Sequence, residues 1–206
     1  MPPALPARLC LRPRILFVGI NPSLRSAAVG HHFAGPGNPF WRLLHAARLV
    51  PEPLTFADDV RLPEFGLALT NIVSRATRQA DELSGDEYVK GRRRLAALIA
   101  RIQPEVVAFV GSTVYRQFFG RGGGCGAKLE RIGDARVFVV PNPSGRNAAY
   151  PGFADKLLWY RRLRRAAPPL IAGAPLRHRP RAGAWPGGRL RPARRASAIP
   201  PSGGRR

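Results

Sequence analysis

Arg14-Ile15-Leu16-Phe17-Val18-Gly19-Ile20-Asn21-Pro22 decides the fold. The run is mostly β-branched or aromatic and ends at Gly19, Asn21 and Pro22, so it reads as a buried strand emptying into a loop. Downstream, Asn38 and Pro39 supply an N-cap and a first-turn proline, and Phe40, Leu43, Leu44 and Ala47 recur at helical spacing. Phe65 to Val73 is apolar enough for a second strand, and the polar stretch from Ser74 to Leu83 has no periodicity and reads as a loop. Ser84 and Glu87 match a capping box for a helix whose stripe is Tyr88, Leu95, Leu98, Ile99 and Ile102, and Pro104 stops it. Residues 105–110 predict a third strand, 112–119 a short helix, 136–140 a fourth strand and 153–163 a last helix. Strands that alternate with helices predict an α/β fold of three layers, α/β/α, around a central, mainly parallel four-stranded sheet. Such sheets bind ligands at the carboxyl ends of their strands. Gly120 to Gly126 is glycine-rich but lacks the Gly-x-x-x-x-Gly-Lys-Ser/Thr spacing of a phosphate-binding loop, and it reads as a surface loop.

The 206 residues, 45% apolar, can bury one ordinary core. The expected organisation is an N-terminal extension over 1–12, one folded domain over 13–166, and a tail over 167–206. That tail is rich in Arg, Pro and Gly, holds no acids, and reads as disordered and basic. The formal charge of +22 favours a polyanionic partner such as nucleic acid. Only Lys90, Lys128 and Lys156 are lysines, so a compositionally biased genome is an equal explanation of the arginines. Cys10 and Cys125 stand far apart, which excludes a thiolate zinc site, an iron-sulfur cluster and a disulfide scaffold, and no metal or other cofactor is expected. No signal-like or membrane-length apolar run occurs, so a soluble cytoplasmic protein with no membrane partner is expected.

Three stretches carry a resemblance. They are Gly19-Ile20-Asn21-Pro22-Ser23, the run from Gly30-His31-His32-Phe33-Ala34 through Gly35-Pro36-Gly37-Asn38-Pro39-Phe40-Trp41, and Asn142-Pro143-Ser144-Gly145-Arg146. In this order, at loop positions of an α/β pattern, they resemble the mismatch-specific uracil and thymine DNA glycosylases of the uracil-DNA glycosylase superfamily. The first and last look like the bacterial uracil enzymes, and the paired histidines with Gly-Pro-Gly-Asn look closer to the thymine enzymes of eukaryotes. The likeness extends from about Arg14 to Leu163 and makes 13–166 the catalytic domain.

The resemblance implies a cofactor-free monomer that flips uracil, or thymine opposite guanine, out of double-stranded DNA carrying G·U or G·T mismatches and hydrolyses its bond to the sugar. Asn21 would hold the attacking water; a neutral amide can orient water but cannot accept its proton, so the implied enzyme is slow. Ile20, Ser26, His32, Phe33 and Asn71 would line the base pocket. Phe33 would stack on the pyrimidine, His32 would donate to a pyrimidine carbonyl, Asn71 would read the imide edge, and Ser26 would sit near the 5-position. His31 receives no role. Arg146 would fill the hole left by the flipped nucleotide, with backbone groups of Gly145 and Asn147 meeting the orphaned guanine. Two departures stand out: Ser23 replaces the usual glycine and adds a hydroxyl near the water, and Asn71 stands where bacterial members often carry lysine. Two alternatives stay open, a general uracil-DNA glycosylase without mismatch preference and a non-catalytic basic DNA-binding protein. The fastest uracil enzymes would want an aspartate in the first loop, and none lies between Arg12 and Glu52.

Overall fold

The computed structural model describes residues 5–145 and 147–170. The tail from residue 171 onward and Arg146, the expected wedge, lie outside the described residues.

The first strand is β1 (Ile15–Gly19), followed by the short helix α1 (Leu24–Val29) and α2 (Phe40–Ala46). A 3-10 helix (Phe56–Phe65) leads to β2 (Leu67–Asn71), a second 3-10 turn (Ala80–Glu82) to α3 (Gly85–Ile102), and then come β3 (Val106–Val110) and α4 (Ser112–Phe119). β4 (Gly126–Ile132), β5 (Ala135–Val140) and α5 (Phe153–Ala166) complete the set. The sheet has five strands rather than four, in the order β2-β1-β3-β5-β4, with β4 antiparallel at one edge and the other four parallel. The expectation missed β4 because its residues alternate half-buried and exposed, as an edge strand should, and offer no apolar run. The glycine-rich loop ends where this strand begins.

Parallel strands covered on both faces read as near-continuous apolar runs, and β1, β3 and most of β2 and β5 do, with Thr70, Asn71 and the exposed Arg136 as the exceptions. Ile15, Phe17, Leu67, Leu69, Val106, Ala108, Phe138 and Val140 face a core shared with α2, the first 3-10 helix and α5. Leu16, Val18, Ala68, Val107, Phe109, Val137 and Val139 face a second core under α3 and α4. On the outer edge of β2, Arg8 and Leu69 exchange backbone hydrogen bonds of 2.9 and 2.7 Å, so the chain before β1 caps that edge. The capping box of α3 forms, with Glu87 N donating to Ser84 Oγ at 3.3 Å and Ser84 N to Glu87 Oε2 at 2.9 Å. The cap of α2 falls on Pro39, one residue later than the expected Asn38, whose Oδ1 still accepts from Phe40 N at 3.0 Å.

Candidate active site

In this strand order the chain passes from β1 outward to β2 on one side, and β3 begins the other half. A crevice therefore opens at the carboxyl ends where β1 meets β3. A cleft of about 610 Å³ lies there. Its walls are the loop after β1 (Gly19 to Ser23), Asn71 at the end of β2, Val110 at the end of β3, and Asn142, Ser144 and Gly145 after β5. The Phe33–Asn38 loop and Arg78 to Asp81 close its sides.

Asn21 is held by its amide nitrogen. Nδ2 donates to the backbone carbonyl of Arg75 at 2.9 Å and to Thr77 Oγ1 at 2.7 Å, and Thr77 Oγ1 in turn donates to the Gln79 carbonyl at 2.6 Å. A carbonyl only accepts, so the contact with Arg75 fixes which amide atom is nitrogen. Thr77 N also donates to the Pro22 carbonyl at 3.2 Å, so the two loops run bonded side by side. Both amide hydrogens are used, and Oδ1 remains as the atom able to take a hydrogen bond from water. The Ser23 hydroxyl is not free: its Oγ accepts from Ser26 N at 3.1 Å, capping α1, and donates to Ser26 Oγ at 3.1 Å.

The next loop hangs on a buried acid. Asp59, with no exposed surface, accepts from Arg8 Nε at 2.9 Å and His32 N at 2.9 Å, and its Oδ1 lies 3.0 Å from His31 Nδ1. A buried carboxylate needs such partners, and here they fix the backbone at His31 and His32. Phe33 consequently takes a left-handed φ of 51°, rare for a residue with a side chain, and its ring stacks on Phe40 at 3.9 Å between centroids. Phe40 is itself wedged edge-on against Phe17, Trp41 and Tyr160, so Phe33 is a fixed, half-buried platform on the cleft wall. Ser26 also lines the cleft, its Oγ accepting from Ala34 N at 3.2 Å. His32 is placed elsewhere: it is buried, absent from the cleft wall, and its Nε2 lies 3.0 Å from the Pro6 carbonyl, to which it must donate. Burial lowers its pKa from the ordinary histidine value, so the ring is neutral with Nε2 protonated and committed.

Asn71 lies across the backbone of Gly19, where a Cβ would come within 2.4 Å of its Oδ1. This is why glycine precedes Ile20. The Asn71 carbonyl accepts from Arg94 Nη2 at 3.2 Å, and its side-chain amide is left toward the cleft.

After β5, Asn142 Oδ1 accepts from Ser144 N at 2.9 Å and its carbonyl accepts from Asn147 Nδ2 at 3.0 Å, which closes a tight turn. Gly145 is exposed at the cleft. Asn147 instead lines the neighbouring hollow, and both its backbone groups are engaged, N–H with Ser144 O and carbonyl with Tyr150 N, each at 3.2 Å. The fold thus brings Ile20, Asn21, Ser26, Phe33, Asn71 and Gly145 to one cleft and leaves His32 and Asn147 off its wall. Sequence reasoning missed Thr77, Arg75 and Asp59. A polar segment without periodicity hides the first two, and Asp59 sits inside a 3-10 helix marked in the sequence only by its Thr55–Asp58 cap.

The uracil DNA glycosylase superfamily matches residues 6–164. Among solved structures, the solution NMR structure of a Methanosarcina acetivorans protein provisionally assigned as a uracil DNA glycosylase superposes with a TM-score of 0.54 at 20% identity, covering 78% of this chain and 96% of that one. At that identity the likeness speaks for the fold alone, whereas the family match spans most of the chain and every strand-end loop of the cleft. The chain belongs to the uracil DNA glycosylase superfamily, whose members are DNA glycosylases.

Proposed function

We propose that this glycosylase excises uracil, and thymine where the pocket admits its methyl group, from mispairs with guanine. The observation that carries the reading is the Asn21 amide, whose two hydrogens are bound by Arg75 O and Thr77 Oγ1, so that only Oδ1 faces the chemistry.

The flipped pyrimidine enters the cleft and lies against the open face of Phe33, a stack worth roughly 1–3 kcal/mol against the cost of extrusion. The Asn71 amide offers one donor and one acceptor, which matches the imide edge of uracil or thymine and mismatches cytosine. Asn21 Oδ1 accepts one hydrogen of a water and turns its oxygen toward C1′ of the sugar. As the C1′–N1 bond breaks, positive charge grows on the sugar and the base leaves as an anion; water bonds to C1′ and its proton passes to solvent. No cofactor takes part. His32 donates nothing to the base, because its one N–H is committed to Pro6.

On the other strand, Arg146, next in sequence to Gly145, fills the vacated stack, and the exposed Gly145 offers its backbone to the orphaned guanine. Asn147 contributes less, since its N–H is already bonded. The cationic surface holds the duplex through its phosphates, with the tail as a further non-specific arm.

Single-turnover excision on matched duplexes with G·U, G·T, A·U or single-stranded uracil tests this. G·U should exceed A·U and single strands by far, and Asn21→Ala should lower its rate roughly 100- to 1,000-fold while duplex binding stays salt-sensitive. Equal cutting of all uracils would replace the reading by a general uracil glycosylase, and no cutting by a DNA-binding protein.

A further inference from the structure

The stretch from Asn71 to Thr77 holds both the amide that faces the base and the two acceptors that grip Asn21. Its ends are tied to the loop after β1, with Ile72 N donating to Gly19 O at 2.9 Å, Val73 N to Ile20 O at 2.8 Å and Thr77 N to Pro22 O at 3.2 Å, and a further hold must fix Arg75 between them. One stripe of α3 does so, through Glu87, Gly91 and Arg94, spaced four and three residues apart and hence on one helix face. Glu87 receives Arg75 Nε at 2.7 Å and Arg75 Nη2 at 2.9 Å, a two-point pairing. Arg75 Nη2 also donates to the Glu82 carbonyl at 2.7 Å. Gly91 lets the helix approach so closely that a Cβ there would stand 2.1 Å from the Ile72 carbonyl oxygen. Arg94 Nη2 donates to that same carbonyl at 3.1 Å.

We propose that Glu87 and Arg75 are positioning residues for base excision: their ion pair fixes the Arg75 backbone, whose carbonyl orients the Asn21 amide. The inference rests on the reading of Asn21 as the residue that holds the water. Three features point to it. The guanidinium is bound at three points, which leaves the Arg75 backbone little freedom to rotate. The Glu87 carboxylate is immobilised independently, because Oε2 also accepts from Ser84 N at 2.9 Å and Ser84 Oγ at 3.2 Å. And the chain from guanidinium to reaction is short: Glu87, Arg75, Arg75 carbonyl, Asn21 Nδ2, with Oδ1 at its end. The pair is partly exposed, so it contributes little to global stability, and its loss should show in the chemistry rather than in folding.

The test uses Glu87→Gln, which keeps an acceptor for Ser84 but loses the charge, together with Arg75→Gln and Arg75→Lys. Each is made alone and with Asn21→Ala. Single-turnover rates are read on duplexes carrying uracil and 5-fluorouracil opposite guanine; the more acidic fluorinated base leaves more readily and keeps residual rates measurable. Glu87→Gln and Arg75→Gln should each slow excision roughly ten- to a hundredfold. Duplex affinity and melting temperature should hardly move, Arg75→Lys should recover part of the rate, and none should lower it further in the Asn21→Ala background. A direct readout needs no turnover: the side-chain amide proton resonances of Asn21 should shift in Glu87→Gln and stay put in an Arg161→Gln control, on α5 across the sheet from α3. Unchanged rates, unchanged resonances, or an equal loss with and without Asn21 would overturn the proposal. Were Asn21→Ala to cut at the parental rate, the reading of Asn21 itself would fall; full loss there with an unaffected Glu87→Gln would remove the clamp alone.

Discussion

Gly19→Ala should separate base reading from folding. The backbone at Gly19 is ordinary extended strand, so alanine meets no conformational barrier and removes the entropy penalty of a glycine in a strand. Its Cβ, however, would lie 2.4 Å from Asn71 Oδ1, against the 3.4 Å at which ordinary contact begins. The strand is packed on both faces and cannot yield, while Oδ1 is the far end of a side chain with two torsions, so the amide moves. A displacement of about 1 Å in a group that aligns a reactant costs up to roughly a hundredfold in rate. The expected outcome is a single-turnover rate on G·U duplexes lowered roughly ten- to a hundredfold. The melting temperature should be equal or higher, and duplex affinity unchanged because phosphate contacts dominate it. Asn71→Ala should give a similar loss, and the double variant no more than either alone. Parental rates in Gly19→Ala, or a double variant that multiplies both losses, would show that Asn71 is not set by this contact.

Asp81 is exposed at the rim and is the one carboxylate among the described residues of the cleft wall; if no general base operates, Asp81→Asn should excise uracil within about twofold of the parent in the same assay. Asn21→Asp should slow the reaction rather than speed it, because the new oxygen would face the Arg75 carbonyl, which has no proton to give; a rate above the parent's at any pH between 6 and 9 would refute this. Burial lowers the His32 pKa, so the unfolded chain binds this proton more readily than the folded one. The stability it affects is complete above the unfolded value near 6.5 and is lost as pH falls below it. Urea unfolding between pH 7.5 and 5 should therefore show a shallower acid loss for His32→Gln, which keeps a donor toward Pro6; an identical slope would sink the argument.

What the sequence disclosed, and what it hid, follows from how far each interaction reaches along the chain. β1, β3 and most of β2 and β5 are apolar runs because both faces are covered, and α3 announces itself through Ser84, Glu87 and one apolar stripe. α1 has only six residues, too few for periodicity, although Ser23 and Gly30 are its caps. The helix from Phe56 to Phe65 holds two acids in its first turn and Pro63 inside, a composition that suits a loop equally well. At the site, the placement of Asn21 and Asn71 on the cleft wall was legible because each lies at or just after a strand end, and that of Phe33 because it sits in a His-, Gly- and Pro-rich loop motif. His32 was not, since its orientation depends on Pro6 and Asp59, each more than 25 residues away. Thr77 was hidden for the same reason, its meaning residing in Asn21.

The acid inventory gives the site its character. Asp59 is saturated by Arg8, His31 and the His32 backbone, and Glu87 by Arg75 and Ser84. With Asp81 at the rim, no carboxylate among the described residues is buried in the cleft to take a proton from water. On the reading proposed above, acceleration comes from the leaving side of the reaction: from extrusion and stacking of the base, from donors to its imide edge, and from a cationic surround that favours an anion. An enzyme built this way is sensitive to how well the base carries negative charge. Its rates should rise with the acidity of the departing pyrimidine far more steeply than those of an enzyme that activates its water with an aspartate.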